Sequence, residues 1–432
     1  MKRHYLFALV DGGGNVPPEL SAARQLLARG HTVTVLAEDS VMEDVRATGA
    51  EVIRWLHAPN RQDRRPENDP ARDWECKYPW QLVDRIAKTL IIGPAVDYAR
   101  DVSDAIDRCR PDVVVCSMFC VGGMVAAEAA GIPFVALFAN VYPLPADGLP
   151  PFGTGLRPAR GPLGRARDRV LNRATEYLWD ASGLSQLNAL RRQYGLAPVS
   201  HTLDQMRSAR RQLVQTSADF DFPWRLPASV HYVGPVLDDP VWAQTSWMPP
   251  AGDAPLVLVA LSSTFQDQVG CLQRVLDALG TLEVRGVMTA GPAVDAAELD
   301  PPANVAILER APHRHILRHA ALLVTHGGHG TAMKGLAAGV PMVLLPHGRD
   351  QGDTATRVTM RGAGIALKRT APSSTIAAAV RRVLQNASYR TAAQRLGEII
   401  RRDAQSDALV RQLESVAAGG AAVPRRLRGL SR

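Results

Sequence analysis

The chain reads as an α/β protein made of two Rossmann-like, doubly wound parallel sheets that face each other across a cleft. Three observations predict this. Short apolar runs alternate with helical stretches in both halves, the rhythm of βαβ units. A proline-rich stretch, "DFPWRLPASVHYVGPVLDDP", interrupts that rhythm in the middle of the chain. Each half also opens with an apolar strand that runs into a turn of small residues. At 432 residues the chain is too long for one core and suits two or three domains.

In order, Tyr5–Val10 reads as a strand, Pro18–Arg29 as a helix stopped by Gly30, and Thr32–Ala37 and Glu51–Trp55 as further strands. A helix is expected over Leu82–Cys109, a strand at "PDVVVCS", a helix over Gly122–Ala130 and a strand at Phe134–Phe138. Two stretches break the pattern. Residues 57–78 are polar and then aromatic, with Trp74, Tyr78 and Trp80 at their end, and residues 140–162 are rich in Pro and Gly. Both exceed ordinary connections and read as mobile or substrate-facing loops. The expected division is a first domain over 1–220, a linker over 221–255 and a second domain over 256–400. A final helix over 401–418 and a basic tail over 419–432, without the composition for fixed structure, complete the chain. Residues 374–417 carry helical periodicity, broken by "QNASY".

The stretch with the most chemistry is "LLVTHGGHGTAMKGLAAGVPMVLLPHGRDQ", Leu322 to Gln351. Its apolar start predicts a buried strand, "HGGHGT" a glycine turn, and Thr331–Ala338 a helix closed by Gly339. Glycines let a ligand approach the backbone, and the following helix aims its free N–H groups and dipole at the turn. A diphosphate suits such a site. His326 and Thr331 add side-chain donors, and Asp350 and Gln351 stand ready for hydroxyls.

Residues 311–351 resemble the donor-binding signature of the family 1, GT-B-fold glycosyltransferases, closest to the bacterial branch that decorates antibiotics and other natural products. The matching parts are Ala311-Pro312-His313, Ile316-Leu317, Thr325 to Thr331, Gly339 to Met342, and Asp350-Gln351. The resemblance implies a nucleoside-diphosphate sugar, UDP- or TDP-linked, as co-substrate, with no cofactor and no metal. It places Ser263, His326, Gly328, His329, Gly330 and Thr331 at the diphosphate, Arg310, Ala311 and Lys334 at the base and ribose, and Asp350 and Gln351 at the sugar. Acceptor contacts are expected from Trp74, Tyr78, Trp80, Phe119 and Asn140. Lys334 stands where the family often has a ribose-binding glutamate, and Arg310 where it often has a stacking tryptophan.

The catalytic turn departs from the family. Inverting members often carry a histidine base after the first strand; here the turn reads Gly14-Asn15-Val16-Pro17-Pro18, so Asn15 takes that place. An amide cannot serve as a base near neutral pH. The partner aspartate of many relatives falls at Ser117. Three readings stay open: Asp11 or another acid serves as base; the acceptor is acidic or nucleophilic enough to need only positioning; or the chain is an inactive partner. Rival functions are a sugar-nucleotide epimerase of the same fold and a nucleotide-sugar-binding helper.

Composition narrows the classes. The net charge of +8 is spread over arginine-rich helix faces without a recognition helix, zinc finger or aromatic-basic interleaving, so nucleic acid is not expected as a partner. Five scattered cysteines suit a reducing cytoplasm. No apolar run is long enough to span a membrane. His313, His315, His326, His329 and His347 lack acidic or cysteine companions at zinc spacing, and Asp219-Phe220-Asp221 is a DxD by chance. A monomer or homodimer is expected.

Overall fold

The computed structural model describes residues 1–239, 243, 247–262, 264–291 and 293–419. Ser263 and all but the first residue of the expected basic tail lie outside the described residues.

Seven parallel strands form the first sheet: β1 (His4–Ala8), β2 (Thr32–Ala37), β3 (Glu51–Arg54), β4 (Val113–Ser117), β5 (Phe134–Phe138), β6 (Arg211–Val214) and β7 (Val230–Tyr232). Their order is β3-β2-β1-β4-β5-β6-β7. The second sheet holds β8 (Leu256–Ala260), β9 (Arg285–Thr289), β10 (Val305–Leu308), β11 (Leu322–Thr325), β12 (Met342–Leu344) and β13 (Gly364–Ala366), in the order β10-β9-β8-β11-β12-β13. Both faces of each sheet are covered, so β1, β4, β5, β8 and β11 read as unbroken apolar runs and are almost wholly buried.

The winding reverses between β1 and β4 in one sheet and between β8 and β11 in the other. Ligands of doubly wound sheets bind at such switch points, beyond the strands' carboxyl ends. The turns after β1, β8 and β11 therefore hold the candidate residues, and they meet in the cleft between the domains.

Three local expectations change. The stretch 82–109 is not one helix. It divides into Pro79–Ile86, a π turn at Ala87–Ile91 and Ala95–Cys109, because Gly93-Pro94 breaks the ladder. The expected linker contains β7, which pairs with β6 and so belongs to the first sheet; the connection begins after Tyr232. The stretch after the second irregular loop forms a 33-residue helix, Gly161–Gln193, which the apolar pattern did not announce because much of it faces solvent.

The C-terminal end ties the domains together. The helix Ala387–Ala404 packs on His329–Ala337 of the second domain. The helix Ala408–Gly419 crosses to the first sheet, where Leu409, Val410, Leu413 and Val416 join Tyr5, Phe7 and Leu213 in one apolar cluster. No helix among the described residues is long and apolar enough to cross a membrane.

Candidate active site

β11 delivers the glycine turn. Gly327 takes φ +91°, and a Cβ there would stand 3.0 Å from the Gln351 carbonyl oxygen. The His326 imidazole lies against Gly328, where an added Cβ would overlap Nε2. The helix starts at His329, two residues before the expected Thr331, with Gly328 at its N-cap. Gly330 is exposed and faces open space; Thr331 beside it is half-buried. The first turn of a nine-residue helix thus presents unpaired N–H groups where a Cβ would otherwise stand. Burial lowers His326 to about 3, against a hydrogen bond to the Ala260 backbone, so its ring is neutral at physiological pH.

His329 does not join it. Its Nε2 lies 2.8 Å from Thr216 Oγ1 of the first domain, and its ring meets Phe220 edge-on. Burial keeps it neutral, with its pKa lowered to about 4. The side chain is an interdomain tie, and only its backbone stands at the turn.

The residues expected around the sugar and nucleoside divide in the same way. Asp350, half-buried at the N-cap of Gln351–Met360, is raised to about 6 by burial and then by nearby Asp353. Gln351 is buried and already bonded. Its Oε1 accepts from His347 N at 2.7 Å, and its Nε2 donates to Gln266 at 2.6 Å, so it shapes the loop from within. Lys334 is likewise occupied: Nζ meets Asp239 at 2.7 Å, and the other Asp239 oxygen accepts from Arg314 N. It lines a cavity of about 380 Å³ behind the interdomain connection, with Gln25, Pro235 and Arg401. Arg310 is exposed and paired with its neighbour Glu309, while Ala311 is buried.

Across the cleft stands the turn after β1. Gly13 takes φ +94°, and a Cβ on it would stand 2.7 Å from Thr264 Cγ2 of the second domain. The two turns touch, so only glycine fits. Phe119 packs over Gly12. Asn15 is buried, and its amide is spent on the turn itself. Oδ1 accepts from Gly12 N at 2.9 Å, while Nδ2 donates to Val10 O and Glu19 Oε1, each at 2.9 Å.

Asp11 is engaged on every side. Its carboxylate accepts from Arg64 Nε at 2.9 Å, Arg64 Nη2 at 3.1 Å, Ser40 Oγ at 3.1 Å and Gly13 N at 2.8 Å, and Arg61 stands 3.3 Å away. Burial would raise its pKa, but the two guanidiniums outweigh burial and hold the carboxyl below its ordinary value. An acid held ionised by two arginines, with every oxygen occupied, anchors the turn. The buried acid beside it went unremarked in the sequence: Glu19, wholly enclosed, is pushed by burial up to about 8. Its place four residues after Asn15, on the same helix face, was the available signal.

The two irregular loops close over the cleft. Arg349, at φ +54°, donates to both oxygens of Asp73 (2.7 and 2.8 Å) and to Thr264 Oγ1 at 3.0 Å. Trp74 packs edge-on against Phe265 of the second domain. Asp353 accepts from Gly153 N and Gly155 N at 2.6 and 2.8 Å. Tyr78 and Trp80 are stacked and half exposed at the rim. Asn140, at the end of β5, has a buried Oδ1 without a protein partner.

The histidines disperse. His313 bonds Thr289 and His347 its own loop, while His315 lies tilted beside His319 and meets Trp247 edge-on. Asp221 of the DxD is consumed by Arg357, at 2.6 Å. Among the described residues, His57, Asp101 and Asp104 stand close enough to share an ion, but Asp101 spends its oxygens on the N–H groups of Leu56, His57 and Ala58.

Two doubly wound parallel sheets whose switch-point turns meet at Gly13 and Thr264, with a glycine turn at a helix N-terminus on the neighbouring strand, define a two-domain α/β protein of a kind suited to an anionic ligand. Comparison with known proteins is specific. Residues 273–416 match the family described as erythromycin biosynthesis protein CIII-like, C-terminal domain. The chain is 32% identical over 306 residues to a PGL/p-HBAD biosynthesis glycosyltransferase of Mycobacterium tuberculosis, covering 68% of each chain. It is 29% identical over 428 residues to the 4'-demethylrebeccamycin synthase of Lentzea aerocolonigenes, covering 95% of this chain and 98% of that one. The solved glycotransferase of kitacinnamycin superposes with a TM-score of 0.75 at 22% identity, over 96% of this chain and 98% of that one. The chain belongs to the GT-B glycosyltransferases of the natural-product type, and it is a glycosyltransferase.

Proposed function

We propose that the protein moves a hexose from a TDP- or UDP-linked donor to a small natural-product acceptor, with inversion at the anomeric carbon. One observation carries this reading: a helix begins at His329 directly after the glycine turn that ends β11, at the switch point of the second sheet, and the Gly13 turn of the first sheet reaches the adjoining turn at Thr264. Backbone N–H groups of the turn, with the neutral His326 ring packed against Gly328, would hold the departing diphosphate as its bond to the sugar breaks. Asp350 would accept from the sugar hydroxyls. The clasped loops would exclude water, which favours transfer over hydrolysis.

With Asp11 engaged by two arginines, positioning of an acidic or nucleophilic acceptor is the favoured route. A phenolate, amine or aromatic carbon would attack from the face opposite the diphosphate. Thymidine diphosphate is favoured as carrier because solved relatives of this fold, including the glycosyltransferase VinC and a spinosyn rhamnosyltransferase, are described in complex with it.

A thermal-shift panel of TDP, UDP, GDP and NADH tests the donor site, since a ligand selective for the folded state raises the melting temperature. A selective shift with TDP or UDP is expected. No shift with any nucleotide would remove the assignment. Turnover of the nucleotide sugar without an acceptor would favour an epimerase.

A further inference from the structure

We propose that the cavity behind the interdomain connection binds a compact polyanion, one carrying at least two phosphate or carboxylate charges, and that its occupant is coupled to the active site. The cavity measures about 380 Å³, near the lower end of small-molecule sites. Three parts of the chain build its wall. Ser21 and Gln25 come from the first domain, residues 233–238 from the connection, and Arg314, Lys334 and Arg401 from the second domain.

Charge selects the ligand. Four cationic side chains border the space, Arg314, Arg318, Lys334 and Arg401, against one carboxylate, Asp238. Lys334 is held by Asp239, and Asp238 stands 3.6 Å from Arg314. Two guanidiniums remain. Arg318 is exposed and enters no ion pair or side-chain hydrogen bond among the described residues, and Arg401 gives one N–H to Ala337 O. A space of that volume is about 9 Å across, close to the Debye length at physiological salt, so both guanidiniums act on an anion inside it. Their planar forks suit oxyanions, which they meet with paired N–H bonds. An uncharged or cationic molecule would leave both uncompensated.

Position selects the effect. Ser21 and Gln25 lie on the helix Val16–Ala28, whose N-cap is Asn15 of the first-domain turn. Lys334 and Ala337 lie on the helix His329–Ala337, whose N-cap is Gly328 of the glycine turn. Both helices therefore run from the cleft to the cavity. An anion held by the guanidiniums of the second domain would accept from the Ser21 hydroxyl or the Gln25 amide of the first, and so bridge the domains. It would fix the spacing of the two helices, and with it the spacing of the turns they start from. The occupant and the donor then bias one equilibrium, and each must change the other's affinity by the same factor. This coupling rests on the donor reading given above; the anion site does not.

Titration calorimetry of the full chain with inorganic pyrophosphate and with citrate tests this, first alone and then with TDP at saturation to occupy the cleft. A site that TDP leaves open is expected, and the tighter probe names the group as phosphate or carboxylate. Arg318→Glu and Gln405→Glu, at exposed positions on different elements of the wall, should each weaken it about tenfold with the melting temperature of the unliganded chain unchanged. Occupation by the tighter probe should change TDP affinity about fivefold or more in the wild type and not in Arg318→Glu. Binding that TDP displaces completely, or that both charge changes leave at wild-type strength, would overturn the site, as would no binding of either probe. Binding that leaves TDP affinity and turnover unmoved would overturn the coupling. A probe site that responds to Arg318→Glu in a chain that does not bind TDP would support the cavity and remove the donor reading.

Discussion

Glu19 should make the first domain lose stability as the solution turns alkaline. In the folded protein this carboxyl is enclosed beneath Asn15 and raised from 4.5 to about 8 by burial. A raised acid keeps its proton in the native state after the unfolded chain has lost it. Its contribution is therefore fully present below about pH 4.5 and is lost as pH climbs through 8. The whole difference corresponds to about 5 kcal/mol at 1.36 kcal/mol per pH unit, an upper figure because water and side chains relax around a buried charge. Replacement by glutamine keeps an acceptor for Asn15 Nδ2 and removes the titration. Glu19→Gln should match the wild type near pH 5 and exceed it near pH 9 by ~2 kcal/mol or more, about 4–8 °C in melting temperature for a domain of this size. Thermal unfolding of both proteins across that range reads it directly, since other titrations cancel in the difference. A difference that stays flat with pH would refute the enclosed, protonated Glu19.

Four further outcomes are expected. Asp11→Asn takes the carboxylate from Arg64, while Arg61 keeps Glu38, and should cost about 3 kcal/mol in urea unfolding; a large rate loss at unchanged stability would instead assign Asp11 as a base. His326→Ala should weaken nucleotide binding about tenfold by calorimetry, because the ring that supports the Gly328 turn is lost, and wild-type affinity would displace the diphosphate from this turn. Arg349→Ala and Asp73→Ala should each loosen the closed cleft and raise the acceptor KM. Their double variant should be no worse than either single one, because both remove the same contact. Asp350 is raised to about 6, so the affinity gained from the sugar should fall as pH drops through that value while affinity for the bare nucleoside diphosphate stays level. Asp350→Asn should abolish the difference.

The alternating apolar runs, the central proline-rich break and the "HGGHGT" turn determined the two-sheet architecture and the glycine turn that opens the helix at His329. Those features are local: strand burial, glycine torsions and a helix start depend on residues a few places apart. The break at Gly93-Pro94 was legible by the same rule, though the apolar pattern around it suggested one helix. What local pattern could not carry was where a polar side chain spends its hydrogen bonds. Asn15, Asp11, Gln351, His329 and Lys334 all stood at plausible ligand positions, yet each is consumed by a partner. Asn15 and Asp11 turn to Glu19 and Arg64, Gln351 to Gln266, His329 to Thr216, and Lys334 to Asp239. The partner stands on another element in every case but that of Asn15. The closing of Asp73 on Arg349 joins residues separated by most of the chain. Sequence determined which groups the protein owns and the fold that carries them. Tertiary structure alone decided which remain free for a ligand, because a buried polar group must find a partner and distant elements supply it.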